Sequence, residues 1–189
     1  MNIAFKKCLV FTDCAQKVAE ARVRINHICS TFHPAIAIHV NETNGQATTK
    51  DPVTGNIVPI KFELCCQEPH FKPTLIDNKI INCGWVRGAL LVKNANSGAS
   101  FGCLDVSLVF QEEQEACGVL STDHISEFFV RHEGNSTCVV FLSSTSGVIE
   151  PYLIMKCVFV VQKDVTRNEK VLPPGCPTKT PPCPCPVDC

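Results

Sequence analysis

The chain has 189 residues, of which 45% are hydrophobic and 19% are charged. This length and composition predict one globular domain with a substantial hydrophobic core, and they exclude a wholly disordered chain. With 17 Lys and Arg residues against 18 Asp and Glu residues, the formal net charge is -1. A charge so close to zero argues against nucleic acid and against an anionic membrane as binding partners.

Residues 1–34 are predicted to form an N-terminal arm that contains a short helix. Residues 1–12 alternate loosely in polarity, and in an extended chain one side carries Ile3, Phe5, Leu9 and Phe11. Thr12 and Asp13 can cap a helix, and apolar residues then recur at helical spacing. We therefore expect a helix from about Cys14, while residues 21–29 also fit the alternation of a strand.

Seven segments from residue 35 onward have the composition and alternation of β-strands. They are residues 35–40, 57–66, 79–92, 103–110, 127–130, 138–143 and 152–161. The segments between them carry the Gly, Asn, Asp and Pro residues that turns require. This pattern predicts an all-β domain over residues 35–163, a β-sandwich or a jelly-roll-like barrel. Residues 152–161 are apolar on both faces, so we expect that strand to lie centrally or to have its outer face covered.

Residues 164–189 are predicted to form an extended C-terminal arm rich in proline and cysteine. The chain ends in VLPPGCPTKTPPCPCPVDC. Proline lacks an amide hydrogen and fixes φ, so such a segment is excluded from the interior of a sheet.

The cysteine content is the most unusual feature of the composition, with 14 cysteines in the chain. Such a density indicates disulfides, a structural metal, or both. The apolar run after Lys6 and Lys7 is too short for a secretory signal, and we find no membrane-spanning segment. Three explanations remain open: a signal removed from the numbering, a metal-binding cytosolic protein, or a product oxidised after its cell lyses.

The spacing of the cysteines argues against a structural zinc site. Such sites usually draw their ligands from C-x-x-C pairs, which this sequence lacks. Cys65 and Cys66 are adjacent, and Cys183 is separated from Cys185 by a single proline. We therefore expect no metal and no cofactor, with a metal-sequestering protein kept as a second alternative.

Residues 98–102 match the G-x-S-x-G pattern of hydrolases, and Asp123 and His124 follow in the order that such enzymes use. The pattern places a nucleophile where a sharp turn joins a strand to a helix. Here a turn precedes Ser100 and a strand follows it, so we interpret the segment as a hairpin loop. We expect no catalytic residue, and the protein is predicted not to be an enzyme.

The predicted positions of the cysteines favour cross-links between subunits. If Phe62 and Leu64 face inward, strand alternation places Cys66 inward and Cys65 outward, and it places Cys103 on an outer face. Thiols on arms and outer faces are available to another copy, and the candidates are Cys8, Cys14, Cys65, Cys103, Cys176, Cys183, Cys185 and Cys189. We also expect the N-terminal arm to pair as a donor strand with a neighbour's sheet edge through Ile3, Phe5, Leu9 and Phe11.

The adjacent Cys65 and Cys66, the isolated strand residues Cys103, Cys138 and Cys157, and the PPCPCPVDC ending resemble the cysteine-rich spore coat and appendage subunits of endospore-forming bacteria. Appendage subunits tend to carry their cysteine arm at the N-terminus, whereas the richer arm here is C-terminal. The resemblance implies a structural, self-assembling subunit of a disulfide-cross-linked fibre or coat. It further implies that its partners are copies of itself and other surface or coat proteins, and that it is extracellular or on the spore surface without a classical signal peptide.

The main alternative is a secreted β-sandwich that serves as a binding module and is stabilised by internal disulfides. In that case the cysteines pair within one chain, and the C-terminal segment is a linker.

Overall fold

The computed structural model describes residues 5–31, 35–143 and 147–170. These residues form an all-β structure with one short helix, which confirms the predicted fold class. The elements are β1 (Phe5–Arg24), α1 (Ile25–Thr31), β2 (Ile38–Val40), β3 (Ala47–Lys50), β4 (Ile57–Phe71), β5 (Thr74–Ile76), β6 (Lys79–Asn94), β7 (Ser100–Glu115), β8 (His124–Ser143) and β9 (Ile149–Lys170).

The strands form one antiparallel sheet in the order β2-β3-β4-β6-β7-β1-β9-β8, with β5 paired to β6. The ladder between β7 and β1 consists of one residue pair, Glu20 opposite Val109. By contrast, β1 pairs with β9 along its whole length, from Phe5 opposite Lys170 to Arg24 opposite Tyr152. The sheet therefore divides at the β7–β1 junction into a first layer (β2 to β7) and a second layer (β1, β9 and β8).

The inward faces of the two layers enclose one main core. Phe71 and Phe110 of the first layer contact Phe159 of the second, with ring centroids 6.5 and 5.4 Å apart. Because Phe159 is fully buried, this aromatic group holds the layers together by burial of apolar area and by edge-to-face contact.

At the far edge of the sandwich, side chains connect β8 to β4. The Asn135 amide donates to the carbonyl oxygen of Leu64 at 3.0 Å, and the Thr137 hydroxyl donates to that of Phe62 at 3.1 Å. The two layers meet here through side-chain hydrogen bonds, whereas β8 and β9 share a backbone ladder.

Three turns repeat one design and confirm three of the turn segments predicted from the sequence. Each begins with an Asn or Asp whose side-chain oxygen accepts the amide of the residue two positions later, at 2.8 to 2.9 Å. The backbone carbonyl of this first Asn or Asp accepts the amide of a glycine four positions after it. The glycines have φ of 69, 72 and 75°, a conformation that L side chains rarely adopt: Gly45, Gly55 and Gly98.

The N-terminal region differs from the prediction of an arm with a helix from about Cys14. A 20-residue strand occupies residues 5–24, and the helix begins at Ile25 and has seven residues. The reason is tertiary: residues 5–24 pair with β9 along their whole length, so backbone hydrogen bonds between strands replace those that a helix would have made. Lys17 and Ala19 are buried on the inner face of β1, so this segment belongs to the sandwich and the boundary at residue 34 is corrected.

Two further boundaries are corrected. Residues 127–130 and 138–143 belong to one strand, β8, whose ladder with β9 continues through the expected turn at 132–136 with two register shifts. The sandwich also extends past residue 163, because β9 ends at Lys170. The central position expected for residues 152–161 is confirmed, since β9 lies between β1 and β8. The rest of the proposed C-terminal arm, residues 171–189, lies outside the described residues.

Candidate functional site

Two exposed cysteines lie on the outer face of the first layer. Cys65 on β4 is opposite Ala89 of β6, and Cys103 on β7 is opposite Leu91 of β6. Both are exposed, as strand alternation predicted. They lie two strands apart, roughly 10 Å across the sheet by ordinary strand spacing, which is too far for a disulfide between them.

Two further exposed cysteines lie elsewhere on the molecule. Cys138 on β8 is opposite Ile154 of β9, which places it on the outer face of the second layer. Cys117 lies in the connection between β7 and β8. The four exposed thiols among the described residues therefore lie on both outer faces and in one connecting loop.

The N-terminal candidates lie within β1. Cys8 and Cys14 are half-buried, opposite Arg167 and Gln162 of β9, and the Cys8 thiol donates to the Glu169 carboxylate at 3.6 Å. Thus both thiols belong to a paired strand of the sheet, and not to the extended arm that the sequence predicted. The tail candidates Cys176, Cys183, Cys185 and Cys189 lie outside the described residues.

The donor-strand candidates are also in β1 and pair with β9 of the same chain. Phe5 and Leu9 are 60% and 41% exposed, whereas Phe11 is half-buried against a small second core around Val165. Ile3 lies outside the described residues. In this structure the segment completes its own sheet, so an exchange between copies would have to displace this pairing.

One pair of thiols meets inside the sandwich. Cys66 of β4 faces inward, as predicted, and packs against the main core that contains Cys157 of β9, close enough for each thiol to shift the pKa of the other. Cys157 is fully buried, and its sulfur lies 3.7 Å from Nδ1 of His132 on β8. Sequence reasoning placed Cys66 correctly but gave no reason to join it to Cys157, which is 91 positions away in the chain.

A cluster of charged and amide side chains, called here the polar cluster, lies beside the main core and extends from the interior to the surface. Lys163 is fully buried and Lys17 is 3% exposed. Lys163 contacts the Gln114 amide oxygen and lies 3.6 Å from the Asp13 carboxylate, and Lys17 pairs with Glu112. The members are Asp13, Lys17, Asn82, Glu112, Gln114, Glu127 and Lys163.

Several groups in the polar cluster lack a direct partner within the described part of the chain. Both carboxyl oxygens of Glu127 and both side-chain polar atoms of Asn82 are buried without a hydrogen bond. Burial raises the pKa of Glu127, against the opposing effect of Lys17 and Lys163. Burial likewise lowers the pKa of Lys163, helped by the neighbouring charge of Lys17.

Sequence reasoning missed the polar cluster, although β9 carries a signal for it. Phe159, Val161 and Val165 are buried on the inner face, and the same alternation places Lys163 between the last two. The predicted strand ended at residue 161, before this signal.

The hydrolase-like segment has the surroundings of a hairpin. The Ser100 hydroxyl donates to the carbonyl oxygen of Gly102 at 3.4 Å, at the start of β7. Asp123 binds Arg167 with two hydrogen bonds of 2.7 Å, which hold its pKa below the ordinary value. The absence of a nucleophilic role for Ser100 stays a prediction.

A scan against models of known protein families finds no match to this chain, and neither the search of curated proteins nor that of solved structures finds a significant one. Within the described residues, no cluster of three or more His, Cys, Asp or Glu side chains is arranged to hold a metal ion. No helix among these residues has the length and apolar composition needed to cross a membrane.

Proposed function

We propose that this protein is a structural subunit that assembles with copies of itself into a disulfide-cross-linked fibre or coat, outside the cell or on a spore surface. The observation that carries the proposal is the distribution of exposed thiols. Cys65 and Cys103 lie on one outer face, Cys138 lies on the other, and Cys117 lies in a connecting loop.

This distribution suits bonds between molecules. The separation of Cys65 from Cys103 prevents a bond within the chain, and Cys138 is on the opposite face of the sandwich. Thiols on both faces allow one subunit to be linked to neighbours on two sides, which is the requirement for a polymer.

The edge of the second layer supports the same proposal. Among the described strands, β8 has a backbone ladder with β9 alone, and it is 20 residues long. Phe128 and Val130 on this edge strand are 52% and 45% exposed. A long edge strand with exposed apolar side chains is a template for pairing with another chain.

The test is gel electrophoresis of air-oxidised, full-length protein boiled in detergent, with and without a thiol reductant. We expect high-mass species that collapse to a monomer band on reduction. Replacing Cys65, Cys103, Cys117 and Cys138 together with the four tail cysteines by serine should abolish them.

The matched control replaces Cys66 and Cys157 by serine, because these inward thiols are not available to a neighbour. This variant should still form the high-mass species. Unreduced wild-type protein that runs as a monomer at high concentration would rule out the cross-linked subunit.

The binding module with internal disulfides is a second candidate, favoured by two observations. The Cys66 and Cys157 thiols lie near each other in the same core of one chain. In addition, a cleft of ≈ 600 Å³ with a mainly apolar lining lies between the turns at 51–56 and 94–101, with Ile36 and Phe101 in its wall. A monomer whose cysteines all pair within the chain, shown by mapping of unreduced peptides, would favour this candidate over the polymer.

A further inference from the structure

The contact between Cys66 and Cys157 runs across the sandwich. β4 pairs with β3 and β6, while β9 pairs with β1 and β8, so the two residues share no ladder. A second contact places the same parts of the two layers together. Asn135, which is opposite Cys157 on β8, donates its amide to Leu64, two residues before Cys66.

The surroundings of the pair combine burial with a route for a small molecule. Cys157 is fully buried, Cys66 is half-buried, and His132 beside them is exposed. The nearby edge is joined to β4 by the side chains of Asn135 and Thr137. A small local opening of such an edge costs much less than unfolding of the sheet, so a molecule little larger than water can reach the pair.

The two thiols differ in acidity. The hydrogen bond from Cys66 lowers the pKa of Cys157, whereas that same bond and burial raise the pKa of Cys66. Cys157 is therefore the thiol of the pair that releases its proton more readily, and Cys66 is the one that keeps it. A thiolate beside a second thiol has the arrangement of a reactive cysteine with its resolving partner.

We infer that Cys66 and Cys157 form a peroxide-oxidised pair that closes an intrachain disulfide between the two layers of the sandwich. The Cys157 thiolate attacks one oxygen of hydrogen peroxide, the O–O bond breaks, and a sulfenic acid and hydroxide form. The Cys66 sulfur then attacks the Cys157 sulfur, and the S–OH bond breaks. The Cys66 proton leaves with that oxygen as water, and the hydroxide takes up the proton that Cys157 had released. Two thiols are oxidised to a disulfide, and one peroxide is reduced to two waters.

This bond differs in position and in consequence from the proposed links between subunits. It joins β4 to β9 near the edge where the described layers share side-chain hydrogen bonds. It also closes a loop of about 90 residues, and a disulfide that closes so long a loop strongly restricts the unfolded chain. The inference does not depend on self-assembly, because both thiols belong to one molecule.

The test uses the reduced, full-length protein at high dilution, treated with a small excess of hydrogen peroxide and then blocked with N-ethylmaleimide. The monomer is digested without reduction and analysed by mass spectrometry. We expect a linked pair of peptides that contain Cys66 and Cys157, together with a higher midpoint of denaturation that returns to the reduced value after reduction.

The adjacent cysteine provides a matched control. Cys65→Ser should retain both the linked peptides and the shift in the midpoint, because Cys65 faces outward. Cys66→Ser should lose both the linked peptides and the shift in the midpoint. Because Cys66 is only half-buried, this variant disturbs folding less than a change of the fully buried Cys157 would.

Two results would overturn the inference. One is a monomer in which Cys66 and Cys157 are both recovered as alkylated thiols after peroxide treatment. The other is an unchanged link to Cys157 in the Cys66→Ser variant, which would assign the bond to Cys65. In either case the gel test of the polymer keeps its meaning, because it depends on the outer and tail cysteines.

Discussion

The interior of this sandwich contains two regions of opposite character, side by side on the same strands. Around Phe159 the main core is apolar and aromatic, and the layers meet by close packing. Four residues further along β9, Lys163 is buried among carboxylates and amides. Beyond it, Val165 joins a small second core with Ile80 and Val119.

The two regions fill the interior in physically different ways. Apolar packing depends on volume, so its cost on mutation follows the cavity that is left. A buried charged cluster depends on mutual compensation, because desolvation of each ion is offset by its neighbours. We therefore expect single changes to be costly in both regions, but paired changes to be tolerated in the polar cluster alone.

The largest effect is expected for Phe159→Ala in the main core. The change removes a fully buried ring that contacts Phe71 and Phe110. It should lower the free energy of unfolding by about 3–5 kcal/mol, measured by urea denaturation of the reduced protein. Phe128→Ala, at a position that is 52% exposed, is the control and should change it little.

Lys163→Met tests the polar cluster. The substitution leaves Asp13 and Glu127 with less compensation, so we expect a loss of about 3 kcal/mol in the free energy of unfolding. Adding Glu127→Leu removes a buried carboxyl whose charge Lys163 partly offsets, and should recover part of that loss. If the effects of the two single changes simply add in the double variant, Lys163 and Glu127 do not compensate each other.

Gly84→Ala tests how closely the main core is packed. A Cβ atom at Gly84 would lie 2.1 Å from the carbonyl oxygen of His70 and 2.5 Å from the ring of Phe110. Because backbone and ring must both move, we expect a loss of about 2 kcal/mol in the free energy of unfolding. Unchanged thermal stability would show that this part of the core is loosely packed.

The smallest effect concerns the pH dependence of stability. In the folded protein burial raises the pKa of Glu127, so its contribution to stability is complete below the ordinary carboxyl pKa and is lost as pH rises through the folded pKa. Glu127→Gln should therefore gain stability relative to wild type as pH rises from acid to neutral, in denaturation curves measured across that range.

Glu133→Gln is the control of opposite sign. Bonds from Gln16 and Arg131 lower the pKa of Glu133, so its contribution is present above the ordinary carboxyl pKa and is lost as pH falls. This variant should lose stability relative to wild type as pH rises. Equal pH profiles for the two variants would contradict the assignment of Glu127 to a buried site.

The sequence by itself determined the all-β class, several strands, three turns and the faces of Cys65, Cys66 and Cys103. These features follow from local rules: side chains alternate along a strand, and glycine is favoured where φ is positive. Such rules apply wherever a segment lies in the fold.

The tertiary structure decided what depends on partners that are distant in the chain. Residues 14–24 fit a helix in isolation, but the ladder with β9 makes them a strand. The same pairing carries β8 through its expected turn at 132–136. The buried charges of Lys17 and Lys163 and the contact of Cys66 with Cys157 arise because two layers close on each other, and a pattern read along one strand contains no information about the strand that faces it.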